Sequence, residues 1–267
     1  MIETYKATPD IDVLQSTATI AGFGSIAINA FVLHGSEPLL VDTGAVVDAD
    51  DFMTALRSVI DPADLAWIWL THTDFDHIGA LHRLLAENPR LRVITTFFGM
   101  GIMGLAAPLP IAQVCLVNPG ETITLGDRTL TAIKPPLFDN AVTTGFHDQR
   151  SRALFTADCF GALLPAVPHD AADLSDDELR RGQIHWATID SPWLHNVDRA
   201  RYAQELRRIR EIDPSIVLSA HLPPAGGAMT ERLLGALEAA PSAQPFTGPD
   251  QATLRQLLTQ MTAGSAQ

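Results

Sequence analysis

The first third of the chain alternates short apolar runs with polar turns. Residues 25–33 have the composition of a strand, and residues 38–41 form a short buried one that ends in Asp42-Thr43-Gly44. The spacing then changes. Over residues 50–60, Phe52, Leu56, Val59 and Ile60 recur at helical intervals, and Pro62 stops the helix. Residues 66–71 return to strand with Trp67, Ile68, Trp69 and Leu70 apolar in succession, as in a strand covered on both faces. Residues 77–88 predict a helix carrying Leu81, Leu84 and Leu85, and residues 91–95 another strand. The stretch 97–103 reads as a packed turn of helix.

Further on the strands come faster. Runs at 114–117, 129–134, 143–146 and 153–156 are separated by Pro119-Gly120, Gly126-Asp127 and Asp148-Gln149, the punctuation of a β-meander. Residues 162–196 are longer than a plain connection. Within them Ser175-Asp-Asp-Glu178 is a capping box that predicts a short helix, placed where an insertion can cover a site. A helix at 199–212, a strand at 216–219 and a helix at 229–240 follow. Strands and helices thus fall into two similar batches. That order predicts an α+β fold, a four-layer αββα sandwich, rather than a doubly wound sheet with strict alternation. The expected organisation is one domain over residues 1–240, then a proline-bearing linker and a C-terminal helix over residues 241–267, frayed at its end.

Composition narrows the function. The chain has 267 residues, of which 46% are hydrophobic and 18% charged, enough for one large core. A net charge of −13 disfavours nucleic acid or an anionic membrane surface as a partner and suits a small-molecule enzyme. Two cysteines, Cys115 and Cys159, make neither a disulfide framework nor a thiolate metal site. The polar, partly acidic first twelve residues lack a signal pattern, and no run approaches the roughly 20 apolar residues of a membrane span. The expectation is a cytoplasmic protein.

The chemistry concentrates in His72-Thr-Asp74-Phe-Asp76-His77, directly after an apolar strand and before a helix. Two carboxylates and two imidazoles at a buried strand end are costly unless a cation compensates their desolvation. Three other apolar strands also end in a potential ligand or its support: Asp42, Asp158 and His221. Strand ends of this kind converge on sites in α/β proteins.

This ordered set resembles the metallo-β-lactamase superfamily over about residues 20 to 225. Its His-x-His-x-Asp-His loop corresponds to residues 72–77, its Asp-x-Gly turn to Asp42-Thr43-Gly44, its bridging aspartate to Asp158 and its last histidine to His221. A carboxylate in the second loop position is similar to the flavodiiron and oxygen-binding di-iron branch, which carries His-x-Glu-x-Asp-His. The lead-in at residues 60–72 and Leu154-Phe-Thr-Ala-Asp-Cys-Phe-Gly161 resemble the same branch. One departure stands out. Where the family has a third histidine, this chain reads Lys134-Pro-Pro-Leu-Phe-Asp139-Asn-Ala.

The resemblance implies two metal ions. His72, Asp74 and Asp139 would hold one, Asp76, His77 and His221 the other, and Asp158 would bridge. His77 is the softest member, because the last loop histidine can swing off the metal in di-iron relatives. Asp42 would brace the loop without binding metal. Asp76 and Asp158 are the candidate catalytic residues, and His195 is a candidate pocket residue. A donor set of imidazoles and carboxylates suits iron or manganese at least as well as zinc and favours redox or dioxygen chemistry, and the resemblance to the di-iron branch puts iron ahead of zinc or manganese. The leading expectation is a di-iron site handling dioxygen, nitric oxide or a small oxidisable substrate. The alternative is a hydrolase of an ester, lactone, thioester or amide using a metal-bridging hydroxide. A third reading is a gas-binding protein without turnover. About 45 residues follow His221, whereas a flavodoxin-like domain needs on the order of 150. No built-in or covalent flavin is therefore expected, and electrons would come from a separate donor. The C-terminal helix could dock on a second subunit of a homo-oligomer.

Overall fold

The computed structural model describes residues 1–264. Residues 265–267, at the end read from the sequence as frayed, lie outside the described residues. Two β-sheets pack face to face with helices on both outer sides. The first sheet has seven strands in chain order: β1 (Glu3–Thr8), β2 (Ile11–Ile20), β3 (Gly24–Leu33), β4 (Leu39–Val41), β5 (Trp67–Trp69), β6 (Arg92–Thr95) and β7 (Val114–Leu116). β1 to β4 pair antiparallel and β4 to β7 parallel. Parallel neighbours need crossovers. Between β4 and β7 these contain α1 (Ala49–Val59), α2 (Leu81–Glu87) and α3 (Phe97–Ala106).

The second sheet is built from β8 (Thr122–Leu125), β9 (Arg128–Ile133), β10 (Gly145–Asp148), β11 (Ala153–Phe155), β12 (Ile216–Leu218) and β13 (Ala225–Gly226). Only its β11–β12 pair runs parallel. α4 (Asp176–Asp190) and α5 (Arg199–Ile212) fill the crossover between them, and α6 (Thr230–Ala239) follows β13. α7 (Gln251–Gly264) comes last, after residues 243–250, which carry neither helix nor strand.

Side-chain alternation explains the layers. Trp67 and Trp69 of β5 face the inter-sheet core, where Trp69 meets Phe146 at 4.5 Å and Phe146 stacks on Phe155 at 4.4 Å between ring centroids. Ile68 and Leu70 point the other way, into a layer with Phe52 and Leu56 of α1 and Leu81 and Leu84 of α2. The second sheet is covered by Leu179, Leu206, Leu233 and Leu237 from α4, α5 and α6. The result is the four-layer αββα sandwich of the metallo-β-lactamase fold.

Several elements differ from the sequence reading. β1 occupies residues read as a polar start, and neither β2 nor β8 was expected. β2 buries Asp12, Gln15 and Ser16 along with Ile11, Val13 and Leu14, which masks its strand pattern. Those polar groups are satisfied: Lys6 Nζ donates to Asp12 at 2.7 Å, and Gln15 Nε2 donates to Asn29 Oδ1 at 3.1 Å. α2 begins at Leu81, not at residue 77. The intervening backbone is bound elsewhere, since Gly79 N–H donates to Gly44 O at 2.8 Å and Ala80 N–H to Thr43 O at 3.1 Å. The capping box at Ser175 and Glu178 is present, but it starts a helix of 15 residues. α3 is longer than the expected single turn, with Phe97 and Phe98 exposed and Met103 buried. No helix among the described residues is long and apolar enough to cross a membrane.

Candidate metal centre

Two parallel strand pairs set the frame. β4 and β5 end side by side, and Asp42 N–H donates to Trp69 O at 3.0 Å just beyond them. β11 and β12 end likewise, with Ala220 N–H donating to Ala157 O at 2.8 Å. β3 sews the two sheets together at this edge. Asn29 N–H donates to Ala220 O at 2.9 Å, and its side-chain amide donates to Ser219 O at 2.9 Å and Leu222 O at 2.8 Å. Thr144 N–H adds a bond to Thr71 O at 2.8 Å. The polar residues that follow all four strands therefore gather at one end of the sandwich.

The Asp42-Thr43-Gly44 turn clamps the histidine loop. Asp42 at φ 57° and Gly44 at φ 70° take the left-handed conformation that reverses the chain here. A side chain at Gly44 would also meet the Phe52 ring at 2.6 Å. Thr43 donates twice to His77 O, from N–H at 2.7 Å and from Oγ1 at 2.9 Å. The buried Asp42 carboxylate accepts from Thr71 N–H at 2.8 Å, Thr71 Oγ1 at 2.7 Å and His77 Nδ1 at 2.9 Å. A carboxylate only accepts, so His77 carries its proton on Nδ1 and presents the Nε2 lone pair. His221 Nδ1 donates to Ala27 O at 2.8 Å, with the same consequence. Thr71 has committed its hydroxyl proton to Asp42, so its oxygen accepts from His72 Nδ1 at 3.1 Å. All three imidazoles thus turn Nε2 inward.

The inward atoms crowd around Asp158. Its Oδ1 lies 3.2 Å from His77 Nε2 and 3.3 Å from His221 Nε2, and its Oδ2 lies 3.3 Å from His72 Nε2. Asp76 Oδ2 is 3.4 Å from His221 Nε2 and 3.5 Å from His77 Nε2. Among the described residues, ligand atoms come within 4.8 Å of one another in four sets: His72, Asp74 and Asp139; Asp76, His77 and His221; His72, His77 and Asp158; and Asp139, Asp158 and Asp190. His72 Nε2, His77 Nε2 and Asp158 Oδ1 are buried without a hydrogen-bond partner. Buried polar atoms in that condition call for an ion or water between them. Imidazole lone pairs and carboxylates converging around shared space fit a pair of cations.

Without cations, protons do the compensating. Burial pulls the His221 imidazole down, but the Asp158 carboxylate beside it prevails and holds it up at about 9. The same contest raises His72, and raises His77 well above its ordinary value with Asp42 assisting. Burial pushes Asp158 up, and the three imidazoles overcome this and bring it well below the usual carboxylate range. Asp139 goes the other way, to about 6, because its burial outweighs the attraction of His72. A cation entering here displaces protons.

The structure also brings in residues the sequence reading did not single out. α4 lies over the site: Trp186 Nε1 donates to Asp158 O at 3.2 Å, and its ring sits 4.8 Å from the His221 ring. Asp190, at the end of α4, is largely buried, and that burial, reinforced by the Asp158 charge, pushes its carboxyl up to about 7. The capping box of this helix and the placing of its segment over a site are legible in the sequence, but neither marks the helix's far end. His195 belongs to none of the four ligand sets among the described residues, and its Nε2 is buried without a partner. Cys115 and Cys159 are both free.

Known proteins agree with this architecture. A family model described as "ODP family beta lactamase" matches residues 26–221. The type A flavoprotein fprA of Rhodobacter capsulatus is 28% identical over 217 residues, covering 80% of this chain and 47% of that protein. The rubredoxin-oxygen oxidoreductase of Megalodesulfovibrio gigas is 25% identical over 168 residues, covering 62% of this chain and 41% of that protein. The chain therefore spans less than half the length of these two relatives. In fold, it is similar to the crystal structure of a flavoprotein from Thermotoga maritima, with a TM-score of 0.77 at 20% identity over 93% of this chain and 63% of that one. Because the family match runs from the third strand to the last inward-facing histidine, most of the chain, the protein belongs to the ODP beta-lactamase family.

Proposed function

We propose that this chain is a binuclear iron oxidoreductase acting on dioxygen or nitric oxide, with electrons delivered by a separate protein. The observation that supports it best is the set of orphaned buried atoms, His72 Nε2, His77 Nε2 and Asp158 Oδ1, surrounded by further carboxylates. His72, Asp74 and Asp139 would hold one metal, Asp76, His77 and His221 the other, with Asp158 shared by both. Such an oxygen-rich set suits iron or manganese at least as well as zinc. The relative from Megalodesulfovibrio gigas gives, by its name, both an oxygen substrate and a rubredoxin donor.

Bound iron supplies reversible one-electron chemistry. The protein's own residues do the rest. Asp42 and Thr71 fix the tautomers of His77 and His72, and Ala27 O fixes that of His221. Trp186 packs α4 onto the Asp158 and His221 side of the site. Asp158, wholly buried, keeps the two halves of the site in one charge field.

The test is gas uptake by the chemically reduced protein, followed with oxygen and nitric oxide electrodes. Uptake should scale with bound iron and fall by at least about tenfold in His72→Ala, the loss usual when metal binding is impaired. No uptake of either gas, with His72-dependent hydrolysis of a generic ester or lactone instead, would replace this reading with the hydrolase.

A further inference from the structure

The segment that lacks the expected third histidine is faced by an extra carboxylate. One oxygen each of Asp139, Asp158 and Asp190 lie within 4.8 Å of one another. His72 Nε2, fully buried and unpartnered, points into the same space, 3.3 Å from Asp158 Oδ2 and 4.0 Å from Asp139 Oδ1. Asp190 stands in an unfavourable place for an anion. It is the last residue of α4, at the negative end of the helix dipole, among Leu137, Phe160 and Ala187.

The fold nevertheless fixes it there. Ser191 Oγ donates to Asp190 Oδ2 at 2.8 Å. α4 is fastened to the loop around Asp158 by Gln183 Nε2 donating to Phe160 O at 3.2 Å and by Trp186 Nε1 donating to Asp158 O. Gly161 allows the close approach: a Cβ there would lie 2.5 Å from Trp186 Nε1 and 2.8 Å from His221 Cβ. A carboxylate delivered rigidly against two others is satisfied by a proton or by a cation, and the unpartnered His72 Nε2 facing Asp139 and Asp158 marks the place as one for a cation.

We infer that Asp190 is an additional ligand of the metal held by His72, Asp74 and Asp139, supplying from α4 the donor that the Lys134–Ala141 segment does not. This rests on the binuclear reading above. Asp74, Asp76, Asp139, Asp158 and Asp190 then carry more negative charge than two divalent cations neutralise. The site therefore favours the higher oxidation state of its metals, and its reduction potential is lowered.

Metal-free protein would be titrated with Fe(II) without air, for wild type and Asp190→Asn, and bound iron counted per chain. Wild type should take up two. Asp190→Asn keeps the shape and the Ser191 contact; it should bind one iron as wild type does and the second at least about tenfold more weakly. Its doubly loaded form should show a higher midpoint potential. Two irons bound with wild-type affinity and an unchanged potential in the variant would overturn the inference alone. Failure of the wild type to bind two irons would overturn the binuclear reading and the inference with it. Should the variant not fold, the crystal structure of iron-loaded wild type decides: an Asp190 oxygen within bonding distance of a metal is the expected result, and one beyond it refutes the assignment.

Discussion

Asp42 holds three donors at once and thereby decides which nitrogen of His77 is free. Replacing it by Asn removes the charge and one acceptor oxygen. Asp42→Asn should weaken binding at the His77 side of the site by about 10–100-fold, measured by competition with a chelator, and leave the other metal less affected. Protonation gives a second expectation. His221 is held at about 9 in the folded chain against an ordinary value near 6.5. Its charged form therefore stabilises the metal-free fold fully below about 6.5, and that contribution is lost as pH rises through about 9. The Tm of metal-free protein should fall across this window while metal affinity rises, since cations replace the protons. A flat Tm over the same range would contradict it. At this scale much was legible in the sequence. His72, Asp74, Asp76 and His77 announce themselves by spacing, and Asp42, Asp158 and His221 by ending apolar strands. Asp190 does not, because it reaches the site from the tail of a helix and no local pattern marks it.

Among elements, β3 matters most. It belongs to the first sheet yet bonds the loop after β12 of the second, through Asn29 and through Ala27 O. Asn29→Ala would leave Ser219 O and Leu222 O without their donor in a buried seam, at about 1–3 kcal/mol for each group left unsatisfied. The urea midpoint should fall accordingly, and metal affinity with it, because the seam sets the separation of His72 and His221. A variant as stable as wild type would show that the sheets are registered by other contacts. The apolar strands β4, β5, β11 and β12 were readable because both faces are covered and their sequences are continuous hydrophobic runs. β1 was not: it lies at the sheet's edge and is largely exposed. β2 was hidden by buried polar residues whose partners lie on other strands. The start of α2 was misplaced because tertiary hydrogen bonds to the Asp42–Gly44 turn outcompete its first helical turn.

For the molecule as a whole, two half-sites on two sheets become one centre because each sheet contributes a parallel strand pair to the same edge. The surrounding charge of −13 and the acidic donor set both favour cations over anionic ligands. The proposed reaction requires that this centre hold two irons. Metal analysis of protein expressed without added zinc and purified without air tests it most directly. About two irons per chain, lost together when Asp158 is replaced by Ala, is the expected result. Two zincs under those conditions, or no tightly bound metal at all, would contradict it.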